Sequence, residues 1–413
     1  MTGTGEILFL VSAVVLLWVA YIRIQKCLPS AMVFASLAVY ASFAGFDVDP
    51  LLRQFGATQY LNAALVFLVG ACVLILSVGL AGKLAGDDME VPTAWTNQEH
   101  LRHAKYGAFL LVGSAVLFFV DRSDVLEIWN VARGDSGPLS VVATFFLLLG
   151  CPGCVSAFGA RKWLLGIAML VTCVAVFLLS GSRAAIFGAL LLWLWMLLMR
   201  TRGQSRQIVV LAVSVTLAFS VHILLRHLRG LGILGVMASF QAGDLLSNLM
   251  SSNAGEDFSG GEGAIAKYFV FSTTVSSTQD FGVLTSLFRL LTLAIPRIND
   301  LIPKPQDVTY LLWTKAYVAG LFNDAAGQEI LLESFLTRSP GSLHPTMFGE
   351  YFLAGGWLAM VLTVAVVGQV LVAIDRFILG RHRFAALMMM GPVLVGNLFV
   401  GRGNSDIGLG YFF

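Results

Sequence analysis

The chain has 413 residues, of which 57% are hydrophobic and only 12% are charged. A soluble protein carries about 25% charged residues, so this composition excludes an ordinary soluble fold and indicates a membrane protein, since a bilayer is itself an apolar solvent. The formal net charge of +2 gives no sign of a nucleic-acid-binding surface.

Apolar runs long enough to cross a bilayer, about 17–25 residues, recur along the chain. In lipid each must be helical, because an open strand edge would leave backbone groups without partners. The predicted fold class is all-α: a polytopic membrane protein of about ten transmembrane helices. The predicted spans are residues 4–22, 30–46, 60–82, 105–121, 138–160, 163–180, 184–200, 207–226, 346–374 and 384–400.

Charge in the short loops predicts the orientation, because Lys and Arg are retained on the cytoplasmic side. Alternate loops hold most of the basic residues, whereas the opposite loops hold few, all of them arginine. We expect the first set to face the cytoplasm and both termini to face outward. The first set is Arg23, Lys26, Lys83, Arg102, Lys105, Arg161, Lys162, Arg200, Arg202, Arg206, Arg376, Arg381 and Arg383; the second is Arg53, Arg122, Arg133, Arg183 and Arg402.

Three segments follow from this layout. Residues 1–226 are predicted to form transmembrane helices 1–8, and residues 345–413 the C-terminal transmembrane helices. Between them, residues 227–344 form a large outer loop with interfacial helices. An apolar helical patch near 282–295 is expected to lie at the membrane interface or to re-enter the membrane, and a second helical patch lies near 328–336. Loops of this length are uncommon and usually functional.

The five cysteines all lie in or beside apolar runs, and none falls in the outer loop. Cys151-Pro-Gly-Cys154 has the spacing of a redox motif, but it lacks the soluble βαβ surroundings that give that motif its meaning. We interpret these cysteines as ordinary residues of membrane helices.

Arginine on the outer side needs a physical reason, because that face disfavours positive charge. A guanidinium group binds phosphate oxygens two at a time and stays charged at physiological pH. Arg183 is the sharpest case, since it lies in a short break between two apolar runs where Gly181 and Ser182 predict an anion-binding turn. The alternatives are an arginine that reaches lipid phosphates and a residue that only sets topology.

His344 and Glu350 lie where the outer loop re-enters the membrane. An ionisable group inside a span is a functional hypothesis by default, and either side chain is a candidate general base for a hydroxyl group. The alternatives are a loop hydrogen bond for His344 and an ion pair with an outer arginine for Glu350.

Other catalytic motifs are missing from the sequence. It has no Gly-rich P-loop, no Gly-x-Ser-x-Gly elbow and no His, Cys, Asp or Glu set with metal-ligand spacing. We therefore predict neither a metal nor a cofactor. Without a nucleotide site, any synthesis must draw its energy from the substrate, and a lipid diphosphate leaving group supplies it.

Five short motifs follow one another along the chain. They are Ser180–Ala185 (a Ser-Arg signature), Ala294–Arg297 (Pro-Arg), Lys304–Pro305 (Lys-Pro), His344–Gly356 (Pro-Thr-x-x-Gly-Glu before a Gly-rich helix start) and Gly401–Gly403 (a late outer arginine). In this order, and with a large outer loop before the last helices, they resemble the motifs of bacterial O-antigen and oligosaccharide repeat-unit polymerases and of the related O-antigen ligases.

The resemblance implies a multi-helix membrane glycosyltransferase of GT-C-like fold in a bacterial inner membrane, with its active site on the periplasmic face. Its reaction would be an inverting, metal-independent polymerisation of polyprenyl-diphosphate-linked repeat units, with a lipid-linked donor and acceptor and a chain-length regulator as partners. By the same resemblance, the diphosphates would be held by Arg183, Arg297 and Arg402, with Arg122 and Arg133 as weaker candidates, and the acceptor would be activated by Glu350 or His344.

Three rival functions remain open at this point, and one of them is a non-catalytic assembly scaffold. A ligase would use the same donor and transfer the glycan to lipid A core or protein. A flippase or transporter would need charges buried within helices and broken helices, whereas the predicted spans hold almost no charge.

Overall fold

The computed structural model describes residues 3–26, 28–46, 56–84, 95–121, 138–180, 184–201, 264–275, 345–379 and 383–403, with the single residues 209 and 213. Every regular element in these ranges is an α-helix. In chain order the helices are α1 (Gly3–Gln25), α2 (Ala31–Gly45), α3 (Ala57–Leu84), α4 (Asn97–Asp121), α5 (Pro138–Gly150), α6 (Pro152–Gly159), α7 (Trp163–Ser180), α8 (Ala184–Arg200), α9 (Ala264–Val275), α10 (Thr346–Leu379) and α11 (Arg383–Arg402).

Six of the described segments are long and apolar enough to cross a membrane, and three shorter apolar helices accompany them. The prediction of an all-helical polytopic membrane protein is therefore confirmed. The count of about ten spans stays a prediction, because residues 207–226 lie almost wholly outside the described residues, as do the loop patches at 282–295 and 328–336.

Helix α4 begins eight residues before the predicted span at 105. A capping box explains the earlier start: the Thr96 hydroxyl accepts the Glu99 N–H at 3.2 Å, and the Glu99 carboxylate accepts the Thr96 N–H at 2.6 Å. The added turns are polar in sequence, and hydropathy alone assigned them to a loop.

The chain folds into two compact units. Unit 1 comprises residues 1–90, 258–377 and 396–413; unit 2 comprises residues 91–257 and 378–395. Both units mix parts of the chain that are distant in sequence, because helices that are separated in sequence pack side by side.

In unit 1 an aromatic cluster joins α1, α3, α9 and α10. Phe67 makes edge-to-face contacts with Phe9, Phe269 and Phe348 at centroid distances of 5.6, 5.4 and 5.0 Å. All four rings are at most 1% exposed, so this cluster is the centre of the apolar core of unit 1.

Helix α10 is not one straight rod, because Gly355 and Gly356 interrupt it with non-helical backbone. The Ser77 hydroxyl of α3 donates to the Ala365 carbonyl at 2.6 Å, and a Cβ placed on Gly70 would lie 2.7 Å from the Phe348 ring. Gly70 and Ser77 lie about 10 Å apart along α3, whereas Phe348 and Ala365 would lie about 26 Å apart along an unbroken helix. The two parts of α10 therefore run in different directions. The span predicted over 346–374 lies within α10, which is long and apolar enough to cross a membrane, but the first residues of that span belong to the short part before the break.

In unit 2 the backbones of α4 and α6 approach each other closely. A Cβ on Gly107 of α4 would lie 2.8 Å from the α-carbon of Gly153 in α6, so only glycine permits this packing.

The boundary between α5 and α6 lies at Pro152, which has no N–H to continue the helical hydrogen bonds from α5 into α6. Cys151, Cys154 and Cys173 are buried free thiols there, with Cys173 within hydrogen-bonding reach of the other two.

Buried polar side chains occur within the candidate spans. His100 and His103 of α4 both contact the Ser156 hydroxyl through Nδ1, at 3.3 and 2.7 Å, and Asp375 of α10 is fully buried. The predicted apolar runs at 105–121 and 346–374 do not include His100, His103 or Asp375. Helices α4 and α10 extend beyond these runs, and their polar ends pack inside the protein.

Candidate functional site

Two of the seven predicted site residues lie in the described part of the chain. Glu350 is 4% exposed on α10, and Arg402 is half-buried at the end of α11. The other five, His344, Arg122, Arg133, Arg183 and Arg297, lie outside the described residues, and their roles stay predictions.

Glu350 belongs to the short first part of α10, before the glycine break. Every residue from Pro345 to Ala354 is buried. Thr346 begins this segment with a positive φ of 62°, and its hydroxyl accepts the Gly349 N–H at 3.4 Å, which is the role of an N-cap. Glu350 therefore lies in the first turns of a buried half-helix, whose N-terminal end carries a partial positive charge.

Both neighbours of Arg402 in the chain are tightly packed glycines. A Cβ placed on Gly401 would clash with the Ser36 hydroxyl oxygen of α2. A Cβ placed on Gly403 would lie 2.5 Å from the Thr346 carbonyl carbon and oxygen. The end of α11 is thus pressed onto α2 on one side and onto the start of α10 on the other.

The structure therefore brings two of the sequence motifs together within unit 1. Gly401–Gly403 and the segment that begins at Thr346 are distant in sequence, yet their backbones touch. Arg402 directly precedes Gly403, and Glu350 follows Thr346 by about one helical turn, so the backbone contact brings an arginine, a helix N-terminus and a glutamate into one region. We call it the Thr346 site (Thr346, Glu350, Arg402 and Gly403). A cationic group beside a helix N-terminus favours an anion, and a nearby carboxylate can accept a proton.

The start of α10 lies beside the middle of α3 and not beside one of its ends. Phe348 packs on Gly70, which is the middle residue of the 28-residue helix α3. Hydropathy placed the same segment at the outer rim, as the straight start of a span. The break at Gly355–Gly356 accounts for the difference, because it releases residues 346–354 from the direction of the rest of α10.

Helix α9 was missed by the sequence analysis. Its 12 residues are too few to span a bilayer, and they lie in the segment assigned to the outer loop. In the structure α9 packs in the core: a Cβ on Gly349 would lie 2.7 Å from the Ser272 hydroxyl and 2.8 Å from the Phe269 ring. The sequence signal that could have found α9 is the apolar stretch Ala264–Val275. The two helical patches that were predicted for this loop lie outside the described residues and stay predictions.

Within the described ranges, no three His, Cys, Asp or Glu side chains come together in a way that could hold a metal ion. The expectation of a metal-free site stays a prediction, since most of the outer loop lies outside those ranges.

Fold and site together define a multi-pass, all-helical membrane protein with a buried, broken helix beside an arginine. Comparison of the chain with protein-family models, curated proteins and solved structures found no match.

Proposed function

We propose that this protein is a glycosyltransferase that polymerises polyprenyl-diphosphate-linked oligosaccharide repeat units at the periplasmic face of a bacterial inner membrane. The observation that carries the proposal is the contact of Gly403 with Thr346, because it joins the arginine motif to the start of the helix that holds Glu350. The motif resemblance supports the same reaction.

In the proposed reaction, Glu350 or His344 takes the proton from an acceptor hydroxyl group. The acceptor oxygen forms a bond to the anomeric carbon of the donor while the bond from that carbon to the diphosphate breaks, with inversion. The leaving lipid diphosphate keeps the bonding electron pair, and the guanidinium of Arg402 and the half-helix N-terminus stabilise its charge. Arg183, Arg297, Arg122 and Arg133 are the further candidates for this role.

The direct test converts purified lipid-linked repeat unit to polymer with the purified protein. Arg402→Ala should lower kcat by about 10²–10³-fold, the usual effect of losing a group that stabilises developing negative charge. Arg402→Lys should also fail, because lysine lacks the two-pronged donor geometry. The same loss is expected for Arg183→Ala and Arg183→Lys.

Arg102→Ala is the matched control, since Arg102 is exposed on α4 and assigned to the opposite membrane face. Ladder formation should survive a chelator. Wild-type protein that forms no ladders, or a chelator that stops them, would contradict this mechanism.

A ligase differs only in its acceptor, and a glycan profile of a deletion strain separates the two. Loss of a polymerase leaves single repeat units on the final acceptor, whereas loss of a ligase removes all of them.

A transporter of lipid-linked anions is the second candidate, and one observation favours it. The half-helix of α10 starts beside the middle of α3, and broken helices with buried N-terminal ends bind anionic substrates in transporters. Proteoliposomes that move lipid-linked repeat unit between leaflets, but form no ladders, would support this candidate over the polymerase.

A further inference from the structure

The backbones of Gly403 and Thr346 lie so close together that no residue with a side chain fits at position 403. A Cβ there would lie 2.5 Å from the carbonyl carbon and oxygen of Thr346 and 2.7 Å from its nitrogen. These are backbone atoms, so a rotamer change cannot relieve the clash. Gly403 also has a φ of 93°, which favours glycine.

Thr346 is strained on its own side of the contact. A positive φ of 62° is a genuine outlier for a β-branched residue. Such strain persists only where the surroundings impose it, and it is concentrated at functional sites. Here the surroundings are identifiable: Thr346 is 1% exposed, it caps Gly349, and Gly403 covers its backbone.

We propose that Thr346 and Gly403 form a backbone joint that sets the position of Arg402 relative to Glu350, and that both are positioning residues for the transfer reaction. This inference rests on the proposed function. Arg402 directly precedes the glycine of the joint, and Glu350 lies one helical turn after the threonine. A shift at the joint therefore displaces the charged group from the carboxylate.

Three substitutions separate the parts of the joint. Gly403→Ala forces the two backbones apart. Thr346→Val keeps the β-branched shape and its strain and removes only the capping hydroxyl, whereas Thr346→Ser keeps the hydroxyl. The matched control is Thr363→Val, because Thr363 is equally buried on α10 and its hydroxyl has no hydrogen-bond partner in the described part of the chain.

The experiment measures kcat and acceptor KM for ladder formation from purified lipid-linked repeat unit. A displacement of about 1 Å in a catalytic arrangement costs about 100-fold in rate, so Gly403→Ala should lose about that factor in kcat with little change in KM. Thr346→Val should lower kcat by about fivefold to tenfold, the factor equivalent to the helix stability that a lost cap removes. Thr346→Ser and Thr363→Val should match wild type.

Equal kcat for Thr346→Val and Thr363→Val would overturn the positioning role, and so would a Thr346→Ser variant as slow as Thr346→Val. If Gly403→Ala does not fold, the comparison of Thr346→Val with Thr363→Val still tests the positioning role.

Wild-type protein that forms no ladders contradicts the proposed function instead. The joint is then tested by thermal unfolding: Gly403→Ala should lower the unfolding temperature and Gly79→Ala, whose Cβ would meet nothing within 4 Å, should not. Equal unfolding temperatures would overturn the joint.

Discussion

Asp375 shows how a buried charge is accommodated at the level of a single residue. Its carboxylate accepts a hydrogen bond from the Ser30 N–H at 2.9 Å and one from the Ser30 hydroxyl at 2.6 Å, and it forms an ion pair with Arg23. Arg23 Nε in turn donates to the Ser30 hydroxyl at 2.6 Å, and its guanidinium lies 5.8 Å from the Phe34 ring centroid. This cluster of Arg23, Ser30 and Asp375 connects α1, α2 and α10 within unit 1.

Removing one partner of the Arg23–Asp375 pair should lower the free energy of unfolding more than removing both partners. Asp375→Leu leaves a largely buried, unpaired guanidinium, and we expect a loss of about 3–5 kcal/mol in the free energy of unfolding. Arg23→Met combined with Asp375→Leu should recover most of that loss, because an apolar pair replaces the two charges without leaving either unpaired. Denaturant unfolding in detergent measures both variants.

Arg102→Met, at an exposed position of α4, is the control and should be close to neutral. A double variant as unstable as the single Asp375→Leu variant would show that the pair is not what holds these helices together.

At the level of the helix, the backbone at the break in α10 requires glycine at residue 356 more than at residue 355. Gly356 has φ 68° and ψ −153°, a region that essentially only glycine adopts. Gly355 has φ 172°, which is extended backbone. The break separates the buried half-helix with Glu350 from the long part of α10, and it therefore determines where Glu350 lies.

Gly356→Ala should destabilise the fold by about 1–3 kcal/mol, the usual cost of such backbone strain. Space is not the reason, because a Cβ at residue 356 would meet nothing within 4 Å. Gly355→Ala is the paired comparison and should cost clearly less. Thermal unfolding of the two purified variants tests this order, and a larger loss for Gly355→Ala would contradict the backbone argument.

For the whole molecule, the charge bias and the tertiary contacts bear on the same topology. The contact of Arg23 with Asp375 places the C-terminal end of α1 beside that of α10. Loop charge assigned the segments after both helices to the cytoplasm. The contact agrees with a common face for these two ends, and the orientation itself stays a prediction.

Reporter fusions test this topology directly. A fusion after Lys26 or after Leu379 should report a cytoplasmic location, and a fusion at the N-terminus a periplasmic one. We expect a fusion after Arg402 to be periplasmic, on the basis of loop charge. Opposite locations for the Lys26 and Leu379 fusions would be incompatible with the Arg23–Asp375 pair.

Hydropathy and loop charge were enough to predict the fold class and the approximate positions of α1, α2, α3, α7, α8 and α11. They suffice because a bilayer demands a continuous apolar helix of minimum length, which is a local property of the sequence. The motif residues Glu350 and Arg402 were likewise recognisable as candidates from residue type and position alone.

Only the tertiary structure decided the position of the start of α10 beside the middle of α3, the burial of α9 and the pairing of Asp375 with Arg23. Each depends on contacts between parts of the chain that are distant in sequence, and none changes the local apolar pattern. From the sequence, an apolar run that contains a Gly-Gly pair is read as one continuous span. The contacts with α3 show that the helix is broken at this pair and changes direction there. The apolar pattern of the sequence predicts which segments enter the membrane. Contacts between distant parts of the chain determine where each helix is broken and which helices it packs against.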